Sequence, residues 1–135
     1  MLTFEREAHL EDPITRHLKG RRFRMLFKEA PFYDYRIDIF ALSTAQNRCV
    51  AVELKLTKWR RAFEQALVYQ LCADYAFVAM PKYALTRVPL DLFRTHGVGL
   101  IAVGGRCHVV IPAQLSTVVC PTYRSGMIQF LREQS

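Results

Sequence analysis

Two short stretches carry acids where acids are unfavourable. Val50-Ala51-Val52-Glu53-Leu54-Lys55-Leu56 reads as a strand, with alternating β-branched and aliphatic residues and the turn-like Gln46-Asn47 ahead of it. Val52, Leu54 and Leu56 share one face, which puts Glu53 and Lys55 on the other. Upstream, Tyr35-Arg36-Ile37-Asp38-Ile39-Phe40-Ala41-Leu42 repeats the anomaly, with Asp38 between two isoleucines. A charge in so apolar a strand costs desolvation energy unless something compensates it. If the two segments pair antiparallel across Ser43 to Asn47, Asp38 and Glu53 sit side by side. Two close carboxylates repel, and a hard divalent cation such as Mg²⁺ is the usual partner that makes such a pair tolerable. The residues alone point to an oxygen-ligand metal site.

The elements around these strands follow from periodicity and punctuation. Thr3 to Leu18 has a helical pattern, with Leu10, Ile14 and Leu18 as its buried stripe. Asp12-Pro13 resembles an N-cap with proline at the first helical position, which predicts a kink or fresh start there, and Gly20 ends the helix. Phe23 to Lys28 reads as a strand near an edge, because Arg24 and Lys28 alternate with apolar residues; Pro31 to Asp34 reads as a connection. After the Glu53 strand the period changes. Trp59 to Cys72 is the clearest helix, capped at Thr57 or Lys58, with Thr57 the better capping residue. Phe63, Leu67 and Leu71 or Cys72 form its apolar stripe, and Gln65 and Tyr69 share a face.

Asp74 to Met80 reads as a buried strand stopped by Pro81, reached by a right-handed parallel crossover. Leu90 to His96 reads as a short helix between Pro89 and Gly97. Val98 to Val103 and Cys107 to Ile111 form a hairpin around Gly104-Gly105, and Tyr123 to Arg132 a final helix. The order αβββαβ(α)ββα predicts an α/β sandwich with a mixed central sheet flanked by helices.

Composition narrows the functional classes. A chain of 135 residues, 51% hydrophobic and 23% charged, has the size and core of one domain spanning residues 1–135. The formal charge of +7 tilts its partners towards polyanions, nucleic acid first and anionic membrane second. Cys49, Cys72, Cys107 and Cys120 are widely spaced, without a C-x-x-C pair, which argues against a zinc site. The charged opening Met1 to Leu10 is unlike a signal peptide, and no apolar run reaches the length of a bilayer span. The expectation is a reduced, cytoplasmic protein with no membrane partner.

With Asp38, Glu53-Leu54-Lys55 and the Gln65 helix in place, the chain resembles the PD-(D/E)xK nuclease superfamily, with its restriction-endonuclease-like αβββαβ core. The resemblance covers roughly Thr3 to Met80. Gln65-Ala66-Leu67-Val68-Tyr69 is similar to the QxxxY element of the RecB-like branch. Ile37 stands where the family's naming proline would be, a position that varies widely. The resemblance implies that Asp38, Glu53 and the Leu54 carbonyl hold Mg²⁺ or Mn²⁺. Glu7, or second Glu5, would serve a further metal or orient a water. Lys55 would position or deprotonate the attacking water, with Gln65 bonded to that water, to Lys55 or to the phosphate. Lys58, Trp59, Arg60 and Arg61 open a helix, where dipole and basic side chains favour a backbone phosphate.

The implied activity is metal-dependent phosphodiester hydrolysis by an endonuclease, on DNA before RNA, with a homodimer as the family's common arrangement. The bland alternative for the acidic trio is an ion pair of Lys55 with Asp38 or Glu53. A buried ion pair stabilises little against an apolar replacement, so the trio is read as functional. Two competing functions remain: a catalytically inactive nucleic-acid-binding or assembly module, using basic charge and an exposed Trp59, and a purely protein-interacting domain.

Overall fold

The computed structural model describes residues 3–134; Met1, Leu2 and Ser135, which the single-domain expectation spans, lie outside the described residues. A 3-10 turn, Glu7–Leu10, leads into α1 (Glu11–Gly20). Three strands follow, β1 (Met25–Phe32), β2 (Tyr35–Ser43) and β3 (Arg48–Leu54), and then α2 (Trp59–Tyr69) and β4 (Tyr75–Pro81). A 3-10 segment (Lys82–Arg87), α3 (Leu90–His96), β5 (Gly99–Val103), β6 (Cys107–Ile111) and α4 (Pro121–Glu133) complete the described chain. The strands form a mixed sheet in the order β1-β2-β3-β4-β5-β6. β1, β2 and β3 are antiparallel neighbours, β3, β4 and β5 run parallel, and β6 turns back antiparallel on β5. This is an α/β fold with helices on both faces.

Side-chain alternation decides which helix covers which face. Phe40, Leu42, Cys49 and Ala51 pack with Ala62, Phe63, Ala66 and Tyr69 of α2, Phe93 of α3, and Met127 and Leu131 of α4. Ile39, Ala41, Val50, Val52 and Leu54 point the other way, onto Leu10, Ile14 and Leu18. That last trio is the stripe its spacing of four predicts.

The alternation breaks at one place. On β1, Phe27 packs towards the α2 side, and so do Ala30 and Phe32; on β2, Phe40 and Leu42 do so together with Ile37. Each strand therefore slips by one residue, at Glu29 and at Asp38. These two face each other, since Lys28 pairs with Ile39 and Ala30 with Ile37. Glu29 has φ 55°, a left-handed conformation that accounts for the slip. The tip of the β1–β2 hairpin is thereby turned onto the core that holds Tyr69.

Several boundaries differ from the sequence reading. Residues 3–6 are not helical, and α1 starts at Glu11 with Leu10 at its N-cap, so Asp12 and Pro13 lie inside the first turn. Proline is accepted there because the first helical N–H groups have no partner within the helix. β1 runs through Pro31 to Phe32, leaving only Tyr33-Asp34 as the turn; an edge strand tolerates the missing N–H. α2 has Lys58, one of the two expected residues, at its N-cap and ends at Tyr69, so Leu71 falls beyond it and is exposed.

One glycine is required by packing. A Cβ on Gly99 would collide with the Phe77 ring and lie 2.8 Å from the Ala113 nitrogen. Gly99→Ala should therefore destabilise the fold by about 1–3 kcal/mol through overpacking, measured by urea unfolding. An unchanged midpoint would show that Phe77 and the 112–114 segment give way freely.

Candidate active site

The site stands where β2 and β3 part. Their ladder runs from Ser43 opposite Arg48 to Ile39 opposite Val52, and one more step of that register sets Asp38 against Glu53. Asp38 Oδ2 accepts the Leu54 backbone N–H at 2.7 Å, so a side chain supplies the bond that a regular ladder would take from backbone. Glu53 is only 4% exposed and lies on the α2 side of the sheet. The Tyr69 hydroxyl donates to Glu53 Oε1 at 2.7 Å. With its amide nitrogen turned towards its two acceptors, Gln65 donates to Glu53 Oε2 and to the Arg61 carbonyl, both at 3.3 Å. Residues four apart on one helix thus hold both oxygens of one carboxylate.

The electrostatics follow from this crowding. Burial, with the Asp38 charge adding to it, pushes Glu53 up to about 8, against the pull of the Tyr69 hydrogen bond and Lys55. Asp38 is raised by burial too, while the Leu54 N–H holds it back. The pair consequently retains a proton near neutrality. Burial and the neighbouring Glu53 push the Tyr69 hydroxyl far up, which keeps it a donor.

Lys55 sits immediately beyond β3, its backbone N–H donating to the Ala79 carbonyl at 3.0 Å. Its Nζ lies 3.9 Å from Glu7 Oε2, so the ion pair is made with the 3-10 turn and not with Asp38 or Glu53. The Lys55 side chain is 16% exposed and Glu7 47%, which sets Glu7 at the open side of the group. Glu7 also bears on Asp38, its charge raising that carboxyl. Asp38, Glu53, Lys55, Gln65 and Glu7 are therefore brought together from four separate elements; Glu5 is exposed in the preceding bend.

The basic helix start is only partly as expected. Lys58, Arg60 and Arg61 are exposed, but Trp59 is half-buried against the core, 6.4 Å from the Phe93 ring, with Arg60 4.8 Å above it. Its position at the first helical residue, next to α3, turns the indole inwards. Tyr69 enters the sequence reading through its spacing from Gln65, without a partner, and two contributions from the hairpin escaped that reading. Tyr69 touches Glu53 directly, the Arg36 carbonyl accepts from the same hydroxyl at 3.4 Å, and the Tyr35 ring packs edge-on 6.1 Å from Tyr69. The four-residue spacing of Gln65 and Tyr69 was the available signal for the Tyr69 contact; nothing in the sequence marked the hairpin tip as their neighbour.

Among the described residues, no group of three or more His, Cys, Asp and Glu side chains is placed to hold a metal ion. What the chain offers a cation is two hard carboxylates whose proton affinity burial has raised, beside the Leu54 main chain. That donor chemistry fits Mg²⁺ or Mn²⁺.

No protein-family profile and no curated protein matches the chain. A solved structure of a protein of unknown function from Silicibacter pomeroyi is similar in fold, with a TM-score of 0.74. It is 20% identical, and the match covers 98% of this chain and 88% of that one.

The proton on the acid pair has a measurable consequence. Glu53 is raised from 4.5 to about 8, so between those values the folded chain holds a proton that the unfolded chain releases. Stability in EDTA should therefore fall as pH rises from about 5 to about 8. Thermal melts of Glu53→Gln should show a smaller fall over that window; parallel curves for the two proteins would contradict the shared proton.

Proposed function

We propose that this chain is a metal-dependent nuclease of the PD-(D/E)xK kind, built on a restriction-endonuclease-like core and hydrolysing phosphodiester bonds in DNA. The observation that carries the reading is the buried Asp38–Glu53 pair with Lys55 beyond it. An acid pair that is raised by burial and, among the described residues, unmatched by a contacting cation is a poor structural device and a good cation site. The element order from α1 to β4 is also the one that reading calls for.

In this reading Asp38, Glu53 and the Leu54 carbonyl hold Mg²⁺ or Mn²⁺, with Glu7 serving a second ion or orienting a water. The bound ion would supply an activated water and charge stabilisation on the phosphate. Lys55 donates to a phosphate oxygen or to the attacking water, and Glu7 steers its amine. Tyr69 fixes the Glu53 carboxylate, and Gln65 releases one Glu53 oxygen to hydrogen-bond the water or phosphate. Lys58, Arg60 and Arg61 attract the flanking backbone at the start of α2. In the hydrolysis, the water oxygen bonds to phosphorus, one ester P–O bond breaks, and the leaving oxygen gains a proton. A homodimer would bring two such sites to two strands.

A second reading, a catalytically inactive nucleic-acid-binding or assembly module, has one observation in its favour. Both Glu53 oxygens are already bonded by the protein itself.

The test is cleavage of plasmid, linear duplex, single-stranded DNA and RNA with Mg²⁺ or Mn²⁺. Cutting should cease in EDTA and fall at least about 100-fold in Asp38→Asn and Lys55→Ala, the scale of a lost positioned group. Metal-independent binding without cleavage of any substrate would select the binding-module reading.

A further inference from the structure

The β1–β2 hairpin carries its aromatic side chains outward at the tip. Tyr33 is 75% exposed and Tyr35 36%. Tyr33 also has φ 54° at the first position of a two-residue turn, where glycine would be unstrained and a bulky ring is disfavoured. The strain is carried by a side chain that is packed at its edges and open on a face. The ring is propped. Tyr33 meets Tyr123 of α4 at 5.5 Å and 78°, and Phe32 meets both, at 5.2 and 5.5 Å. These edge-to-face contacts hold Tyr33 in place without covering it.

This tip adjoins the candidate active site. Tyr35 packs edge-on against Tyr69, and Tyr69 donates to Glu53. Between them Arg36 is exposed, and its carbonyl accepts from Tyr69. Asp34 is the acid in the turn, set against a whole-chain charge of +7.

We propose that the hairpin tip, Tyr33 with Tyr35, is a stacking platform for unpaired nucleobases, which makes single-stranded nucleic acid the substrate class of the adjoining site. The substrate assignment rests on the nuclease reading; the platform itself does not. Paired bases in a duplex are already stacked and offer no free face inside the helix, whereas each unpaired base presents one to an aromatic ring.

The test measures binding in EDTA, so that no cleavage intervenes, by anisotropy of a labelled oligothymidylate, an abasic oligomer of equal length and a duplex. Oligothymidylate should bind tighter than the abasic oligomer or the duplex. Tyr33→Gly should weaken oligothymidylate binding about 5- to 100-fold, the scale of one stacked base, and leave the abasic oligomer unaffected. The same variant relieves the left-handed strain and gives up the edge contacts with Phe32 and Tyr123, so a thermal melt that shows it folded at the assay temperature accompanies the binding measurement. Equal affinity for oligothymidylate and the abasic oligomer, or indifference of oligothymidylate binding to Tyr33→Gly, overturns the platform. The two readings fail separately. Metal-dependent cleavage that Tyr33→Gly does not alter, joined to base-independent binding, leaves the nuclease standing without its platform. Base-dependent binding with no cleavage under Mn²⁺ does the reverse.

Discussion

Everything at the open end of β2 and β3 depends on two carboxyl groups that repel each other. Asp38 and Glu53 meet through the β2–β3 register, five pairs long, in which a one-residue slip would move a strand's apolar side chains to the wrong face. Isolated in such a place, both acids would take up protons and lose their chemistry. They are held instead in a graded set of bonds: a main-chain N–H on Asp38, and a tyrosine hydroxyl and an amide on Glu53. The arrangement keeps one proton between two acids, a state that a divalent cation can replace.

The rest of the fold supplies rigidity to that end from a distance. At the opposite end of β3, Asp74 takes the Cys49 N–H at 2.8 Å and a forked contact from Arg124 of α4 at 2.9 to 3.1 Å. Burial alone would raise the Asp74 carboxyl; the hydrogen bonds from Arg124 overcome that and hold it below the ordinary range. Arg124 also donates to the Asn47 carbonyl at 2.9 Å, so one side chain ties α4 to the β2–β3 turn and to the start of β4. β2 is thus clamped just past its end and β3 at its start, at the far end of the pair from Asp38 and Glu53.

Much of this was legible in the chain itself, for reasons that differ by residue. The Leu10, Ile14, Leu18 stripe and the burial of alternate β3 residues are read from period alone, because helix and strand repeats differ so sharply. The closing of α3 by Gly97 follows from its left-handed φ of 72°, which glycine adopts without cost. Asp38 beside Glu53 needed only an antiparallel pairing across a short turn. What stayed hidden is long-range. The pairing of Lys55 with Glu7 spans the whole of β1 to β3, and the inward turn of Trp59 depends on α3, more than thirty residues later. The slip at Glu29 and Asp38 arises from a left-handed φ at a glutamate, which no propensity predicts. It is this slip that brings Tyr35 and the hairpin tip to Tyr69.

In the proposed function the acid pair exchanges its proton for a metal ion. Calorimetric titration with Mn²⁺ near pH 7, repeated in buffers of different ionisation enthalpy, reads that exchange directly. About one proton should be released per ion bound, with neither binding nor release in the Asp38→Asn/Glu53→Gln double variant. Binding without proton release, or binding that survives in the double variant, would contradict that exchange.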